Sequence, residues 1–136
     1  MSRTWGRKSL IVYNQLDPRL QVLLTRVRNE VADISLISGY RDCAEQNGYF
    51  EIGVSTLRWP DSKHNKLPSL AVDFQPYPYP DTETKLWGAL GYIAGRAYEI
   101  AADMNIKIRW GGDWDGDGDL TDQDFDDLFH LEIVDA

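Results

Sequence analysis

At 136 residues, 43% apolar and with five Trp, the chain is long enough for one hydrophobic core and too apolar for a disordered segment. Its net charge of −8 is local: residues 113–127 hold eight Asp and no Lys or Arg, and taking those eight from the 22 acidic residues leaves a remainder balanced by the 14 bases. The absence of a basic stripe argues against nucleic-acid binding, no apolar run is long enough to cross a membrane, and the lone Cys43 excludes an internal disulfide or a zinc thiolate cluster.

In chain order, MSRTWGRKSLIVYNQL lacks the continuous apolar stretch of a signal peptide, so synthesis in the cytoplasm without a leader is expected. Asp17 and Pro18 read as the N-cap and first residue of a helix whose Leu20, Leu23, Leu24, Val27 and Val31 share one face. Ile34–Ser38 alternates as a strand, and Arg41–Gly53 reads as a short helix in which Cys43 is a small buried hydrophobe. Ser55 to Pro80 is loop, interrupted by a short strand at Leu70–Phe74 and ending in the rigid PYPYP run. Asp81–Asn105 is the longest helix, capped by Asp81 or Thr82, with Leu86, Leu90, Ile93, Ala97, Ile100 and Met104 at helical spacing. Its Gly88, Gly91 and Gly95 each cost roughly 1 kcal/mol against Ala and predict close packing by another element. Ile106–Trp110 and Phe129–Val134 complete the strands, while Trp59, Trp110 and Trp114 read as packing or rim aromatics. With no repeat or linker, residues 1–136 form a single domain of α+β class, helices packed on a small, mostly antiparallel sheet.

DWDGDGDLTDQDF (Asp113–Phe125) matches a calcium loop in its spacing. Asp113, Asp115 and Asp117 occupy ligand positions one, three and five, Gly118 the sharp turn, Asp119 the backbone-carbonyl position and Asp124 position twelve. Oxygen-only donors suit a hard cation such as Ca2+, which would also relieve repulsion among the carboxylates. An EF-hand, however, needs flanking helices. Here IKIRWGG enters as a strand and FDDLFHLEI leaves too short and too β-like, so a calcium-sensor identity is disfavoured while the loop keeps its cation reading.

The two histidines have carboxylates at telling distances. His64 precedes Asp73 by nine residues, and Asp127 precedes His130 by three. Two His and one Asp make a three-ligand catalytic zinc set with a fourth position left for water, and a nearby carboxylate can serve as general base. Asp124, Asp126 and Glu132 are alternatives to Asp127 for that role.

The combination of SKH…AVDF, GGDW and DxxHLEI resembles the zinc D-Ala-D-Ala carboxypeptidase and L-alanyl-D-glutamate peptidase family, which cleaves peptidoglycan stem peptides. SGYRDCAEQNGYFEIGVS resembles that family's upstream segment, matching Arg41 and Gln46. The similarity runs from about Ser38 to the C-terminus, and the length resembles a single-domain phage endolysin without a wall-binding unit. The resemblance implies a hedgehog/D-Ala-D-Ala peptidase-like fold in which His64, Asp73 and His130 bind Zn2+. It implies Asp127 as the base, Arg41 at the oxyanion or a substrate carboxylate, and Ser62 and Gln46 lining the site. The His64–Asp73 interval is two residues longer than the commonest family form, so the extra residues are expected to loop out. An Asp rather than a Glu three residues before His130 favours L-alanyl-D-glutamate cleavage over D-Ala-D-Ala cleavage. The implied setting is a monomer acting on the cell wall after release by a holin-type partner, with Ca2+ in the 113–124 loop tuning the neighbouring base and ligand.

Overall fold

Strand alternation decides which side chains meet on which side of the sheet. In the computed structural model, which describes residues 4–123 and 126–134, four helices accompany four strands. They are α1 (Arg7–Tyr13), α2 (Pro18–Glu30), β1 (Ile34–Ser38), α3 (Cys43–Glu51), β2 (Ala71–Pro76), α4 (Glu83–Asp103), β3 (Ile108–Gly111) and β4 (Asp127–Ile133), with a 3-10 turn at Lys63–Asn65. The sheet order is β1-β2-β4-β3 and every neighbouring pair is antiparallel.

One face of the sheet is apolar. Leu36 opposes Phe74, Val72 opposes Leu131, and Ile108 opposes Ile133, all buried. This face packs with Leu20, Leu23, Leu24 and Val27 of α2 and with Leu86, Leu90, Ile93, Ala97 and Ile100 of α4 into one core. The residues between them point the other way: Ile37, Asp73, Gln75, Arg109, His130 and Glu132 all line a cleft on the opposite face. Strand pairing sets Asp73 directly across from His130 and Arg109 across from Glu132. A one-residue slip would swing every one of these polar groups into the core, so the buried apolar face fixes the register of the polar one.

Helix ends follow the sequence closely. The Asp17 carboxylate accepts from Arg19 N at 2.9 Å with Pro18 at the first helical position, and Thr82, rather than Asp81, caps α4 by accepting from Lys85 N at 3.2 Å. Asp42 and Glu45 form a capping box at α3. Three features of the helices depart from expectation. Helix α1 was not anticipated: it has no side-chain cap, and Ser9 is its only buried residue, its Oγ accepting from Leu36 N at 3.0 Å along the β1 edge. Cys43 is exposed, not buried, because it opens α3 on the solvent side. Of the three α4 glycines, Gly91 meets the Trp110 indole at ordinary contact distance, while Gly88 and Gly95 face open space and admit no close neighbour. Among the described residues, no helix is long and apolar enough to cross a membrane.

Candidate metal centre

His64 sits on the 3-10 turn, and the turn is built by its own short polar residues. Ser62 Oγ accepts from His64 N at 3.1 Å, and Asn65 Oδ1 accepts from Ser62 N at 3.0 Å. Asn65 Nδ2 then donates to Arg41 O and to Gln46 Oε1, both at 3.2 Å, while Arg41 N donates to His64 O at 2.8 Å. The turn is thereby stitched to the start of α3. Between His64 and Asp73 the chain passes over the surface, where Leu67 is 68% exposed.

Within this frame each donor atom is aimed. His64 Nδ1 donates to Gly39 O at 2.6 Å, which leaves the Nε2 lone pair facing the cleft. His130 Nε2 donates to Glu132 Oε1 at 2.8 Å, which likewise turns Nδ1 inward. Asp73 Oδ2 accepts from Arg41 Nη2 at 2.6 Å, and its Oδ1 is buried with no hydrogen bond. The three inward atoms form a nearly equilateral triangle: His64 Nε2 to His130 Nδ1 is 3.2 Å, His64 Nε2 to Asp73 Oδ1 is 3.4 Å, and His130 Nδ1 to Asp73 Oδ1 is 3.5 Å. Ligands held tetrahedrally at zinc-like bond lengths lie about 3.3–3.5 Å apart, so a small cation fits the triangle without rearrangement.

The electrostatics are those of a site that attracts positive charge. Burial alone would raise the Asp73 carboxyl, but His130 and His64 outweigh it and hold Asp73 below the ordinary carboxylate range. Burial opposes charge on His130, yet Asp73 and Glu132 on either side push its imidazole up to about 9. Burial would raise Glu132 too, but His130 and Arg109 hold it down at about 2. Asp127, at the first position of β4 and half-buried beside the group, is shifted upward by burial and then by the Asp73 charge. Such a carboxylate is a stronger base than an exposed one.

The triangle opens into a cleft of about 830 Å³, within the usual range for a small-ligand site. Ser62, Lys63, Arg109, Trp114, Asp127 and Phe129 line it with the three donors. The Trp114 ring lies 5.2 Å from that of His130, whereas Trp110 belongs to the core and Trp59 packs edge-on against Tyr40. Arg41 lines the cleft, but its guanidinium is anchored on Asp73 and Ser38 Oγ and stacked 4.6 Å over Tyr49. Gln46 departs from its expected place: it is fully buried, and its amide nitrogen donates to Ser55 Oγ and Leu57 O. It holds the loop around the site rather than lining it. Sequence reasoning did not assign the partners of the histidines, Gly39 and Glu132, although Glu132 shares the alternation of HLEI with His130.

The acidic loop joins β3 to β4 and forms a second cluster. Ligand oxygens of Asp113, Asp115 and Asp117 lie within 4.8 Å of one another. Asp113 is only 8% exposed, with Oδ2 accepting from Gly118 N at 2.9 Å and Oδ1 buried without a partner. Gly118 has φ 81°, a turn that a side chain would strain. The Asp119 carboxylate is taken by Thr121, and Asp124 lies outside the described residues. Asp122 joins the cluster unexpectedly, pushed up to about 6 chiefly by its hydrogen bond with Asp117.

Comparison with known proteins bears on this geometry. The chain is 29% identical to the L-alanyl-D-glutamate peptidase of Escherichia phage T5 over 127 residues, 90% of each chain. Its fold matches the crystal structure of Serratia marcescens L-Ala D-Glu endopeptidase ChiX with a TM-score of 0.70, at 21% identity, covering 96% of this chain and 89% of that one. The sequence model of the phage L-alanyl-D-glutamate peptidases matches residues 1–134, so the chain belongs to the phage L-alanyl-D-glutamate peptidase family.

Proposed function

We propose that this chain is a zinc-dependent endolysin that hydrolyses the L-alanyl-D-glutamate bond of the peptidoglycan stem peptide. The observation that carries the reading is the triangle of His64 Nε2, Asp73 Oδ1 and His130 Nδ1 on the cleft floor, with a buried Asp73 oxygen that accepts no hydrogen bond. Two imidazole nitrogens and one carboxylate are an ordinary zinc donor set. When bound, zinc supplies Lewis acidity at the scissile carbonyl and makes water a nucleophile near neutral pH.

The chain's own residues do the rest. Asp127 takes the proton of the attacking water and returns it to the leaving amine, a task suited to its upward-shifted carboxyl. Arg41 keeps Asp73 in place and lines the cleft, where its positive charge would stabilise a developing oxyanion. Ser62 holds the His64 turn. Reaching the wall from the cytoplasm requires a holin-type partner.

A Ca2+ ion in the 113–124 loop is the second part of the reading, supported by an unpartnered buried oxygen on Asp113 and by ligand oxygens of Asp113, Asp115 and Asp117 within 4.8 Å of one another. The loop leads into Asp127 and His130, so ordering it would fix the approach of both. Mass spectrometry of digested peptidoglycan tests the bond: fragments ending in L-Ala and beginning with D-Glu are expected, and release of D-Ala would replace this reading with a carboxypeptidase one. Metal analysis should find one zinc per chain. Calcium alone, with no lysis, would leave only a cation-binding module.

A further inference from the structure

The imidazole of His130 is held from behind. Its Nε2 donates to Glu132 Oε1 at 2.8 Å, and Glu132 is itself only 5% exposed. The other Glu132 oxygen accepts from Arg109 Nη2 at 2.8 Å and lies 3.6 Å from Lys63 Nζ. Lys63 also donates to the Ile133 carbonyl on the same strand. Arg109 lies 5.7 Å over the Trp114 ring, which in turn tilts at 47° against the His130 ring. Glu132, Arg109 and Trp114 thus close a ring of contacts around one face and one edge of the imidazole.

We propose that Glu132 is the positioning residue of the metal centre. It keeps the His130 proton on Nε2, so that the Nδ1 lone pair faces His64 and Asp73, while Arg109 and Lys63 pin the carboxylate in that pose. A neutral imidazole carries its proton on either nitrogen and turns about its last side-chain bond. Among the described residues, Glu132 is the hydrogen-bond partner of His130 Nε2 and so chooses between these states. Carboxylates behind a histidine ligand raise its basicity and fix its orientation, and their loss costs metal affinity or activity. The same geometry removes Glu132 from contention as the base, because its carboxylate is engaged on the far side of the ring from the donor triangle. The proposal rests on the zinc reading above.

The test measures zinc affinity by competition with a chromophoric chelator for the wild type, Glu132→Ala and Glu132→Gln. Nitrogen-15 NMR of the histidines reports which ring nitrogen binds, and unfolding temperatures of the zinc-stripped forms report fold. Glu132→Ala should bind zinc roughly 10–100-fold more weakly and lose uniform Nδ1 coordination. Glu132→Gln, whose amide oxygen can still accept from Nε2, should restore part of the affinity; it decides the matter if the Ala variant does not fold. Unchanged affinity and Nδ1 coordination in both variants, with only a lower unfolding temperature, would make Glu132 a structural ion-pair partner and overturn the proposal. A wild type that binds no zinc would overturn the functional reading and this proposal together.

Discussion

Asp73 and His130 face each other across the β2–β4 ladder, Oδ1 and Nδ1 3.5 Å apart, although 56 residues of sequence lie between them. Antiparallel pairing turns two distant side chains into cross-strand neighbours, and His64 reaches the same point from its turn. If this is the metal set, Asp73→Asn should fold normally, since the amide oxygen still accepts from Arg41, yet lose stoichiometric zinc. Its affinity loss should exceed the roughly 10–100-fold that follows removal of a ligand's hydrogen-bond partner. Zinc content after dialysis against a weak chelator decides it; retention of one zinc per chain excludes Asp73 as a ligand.

Asp127 carries the proton transfer in the proposed mechanism. Asp127→Asn should lower kcat by about 10²–10⁴-fold, the range for a general base, while zinc content stays at the wild-type level. A variant with wild-type kcat would pass the role to Asp124 or Asp126.

Gly111 allows β3 to run close beside β4 at Asp127, where β4 begins. A Cβ built on Gly111 would land on the Asp127 backbone carbonyl. Gly111→Ala should therefore destabilise the fold by about 1–3 kcal/mol, as overpacking does, and lower activity by moving Asp127. Denaturant unfolding and kinetics together check this, and a neutral substitution would mean that the two strands separate more easily than their packing implies.

The cap of α2 makes part of the stability depend on pH. Hydrogen bonding to Arg19 holds the Asp17 carboxyl below its ordinary value. Its contribution is therefore complete above the unfolded-state value near 4 and disappears as pH falls through the lower folded-state value. Asp17→Ala should cost about 0.5–2 kcal/mol at neutral pH, with the difference from wild type shrinking in acid. Asp17→Asn should keep most of the cap but flatten the pH dependence. Parallel pH profiles of the three proteins, constant across acid and neutral pH, would refute the assignment.

The cation binding proposed for the acidic loop would compete with protons. The hydrogen bond with Asp117, and after it burial and the charges of Asp115, Asp117 and Asp119, push Asp122 up to about 6, so calcium affinity should fall as pH drops through that value. Calorimetric titration should show this weakening, and Asp115→Asn with Asp117→Asn should abolish both calcium binding and any calcium dependence of lysis. An unchanged dependence in that double variant would place calcium elsewhere.

Much of the architecture was legible from residues alone. Alternating or short apolar runs marked the four strands, Asp17-Pro18 and the Leu stripe marked α2, and the His-x₈-Asp and Asp-x₂-His spacings singled out the residues that the fold gathers in the cleft. Helix α1 was not legible, because it is short, uncapped and buries a serine instead of an apolar stripe. Burial also misled at Cys43 and Gln46. Local pattern says that a residue lies on a helix, but only packing says which face is covered, and the two exchanged their expected environments.

By itself, then, the sequence determined most of the element types, the candidate site residues and the concentration of charge in one loop, since these depend on composition and on periods of a few residues. The tertiary structure alone decided the register that sets Asp73 opposite His130, the nitrogen each histidine turns inward and the side of His130 on which Glu132 lies. Those are properties of strand pairing and of hydrogen bonds between residues far apart in the chain. No local period encodes them, because the buried apolar face selects the register and the polar face follows it.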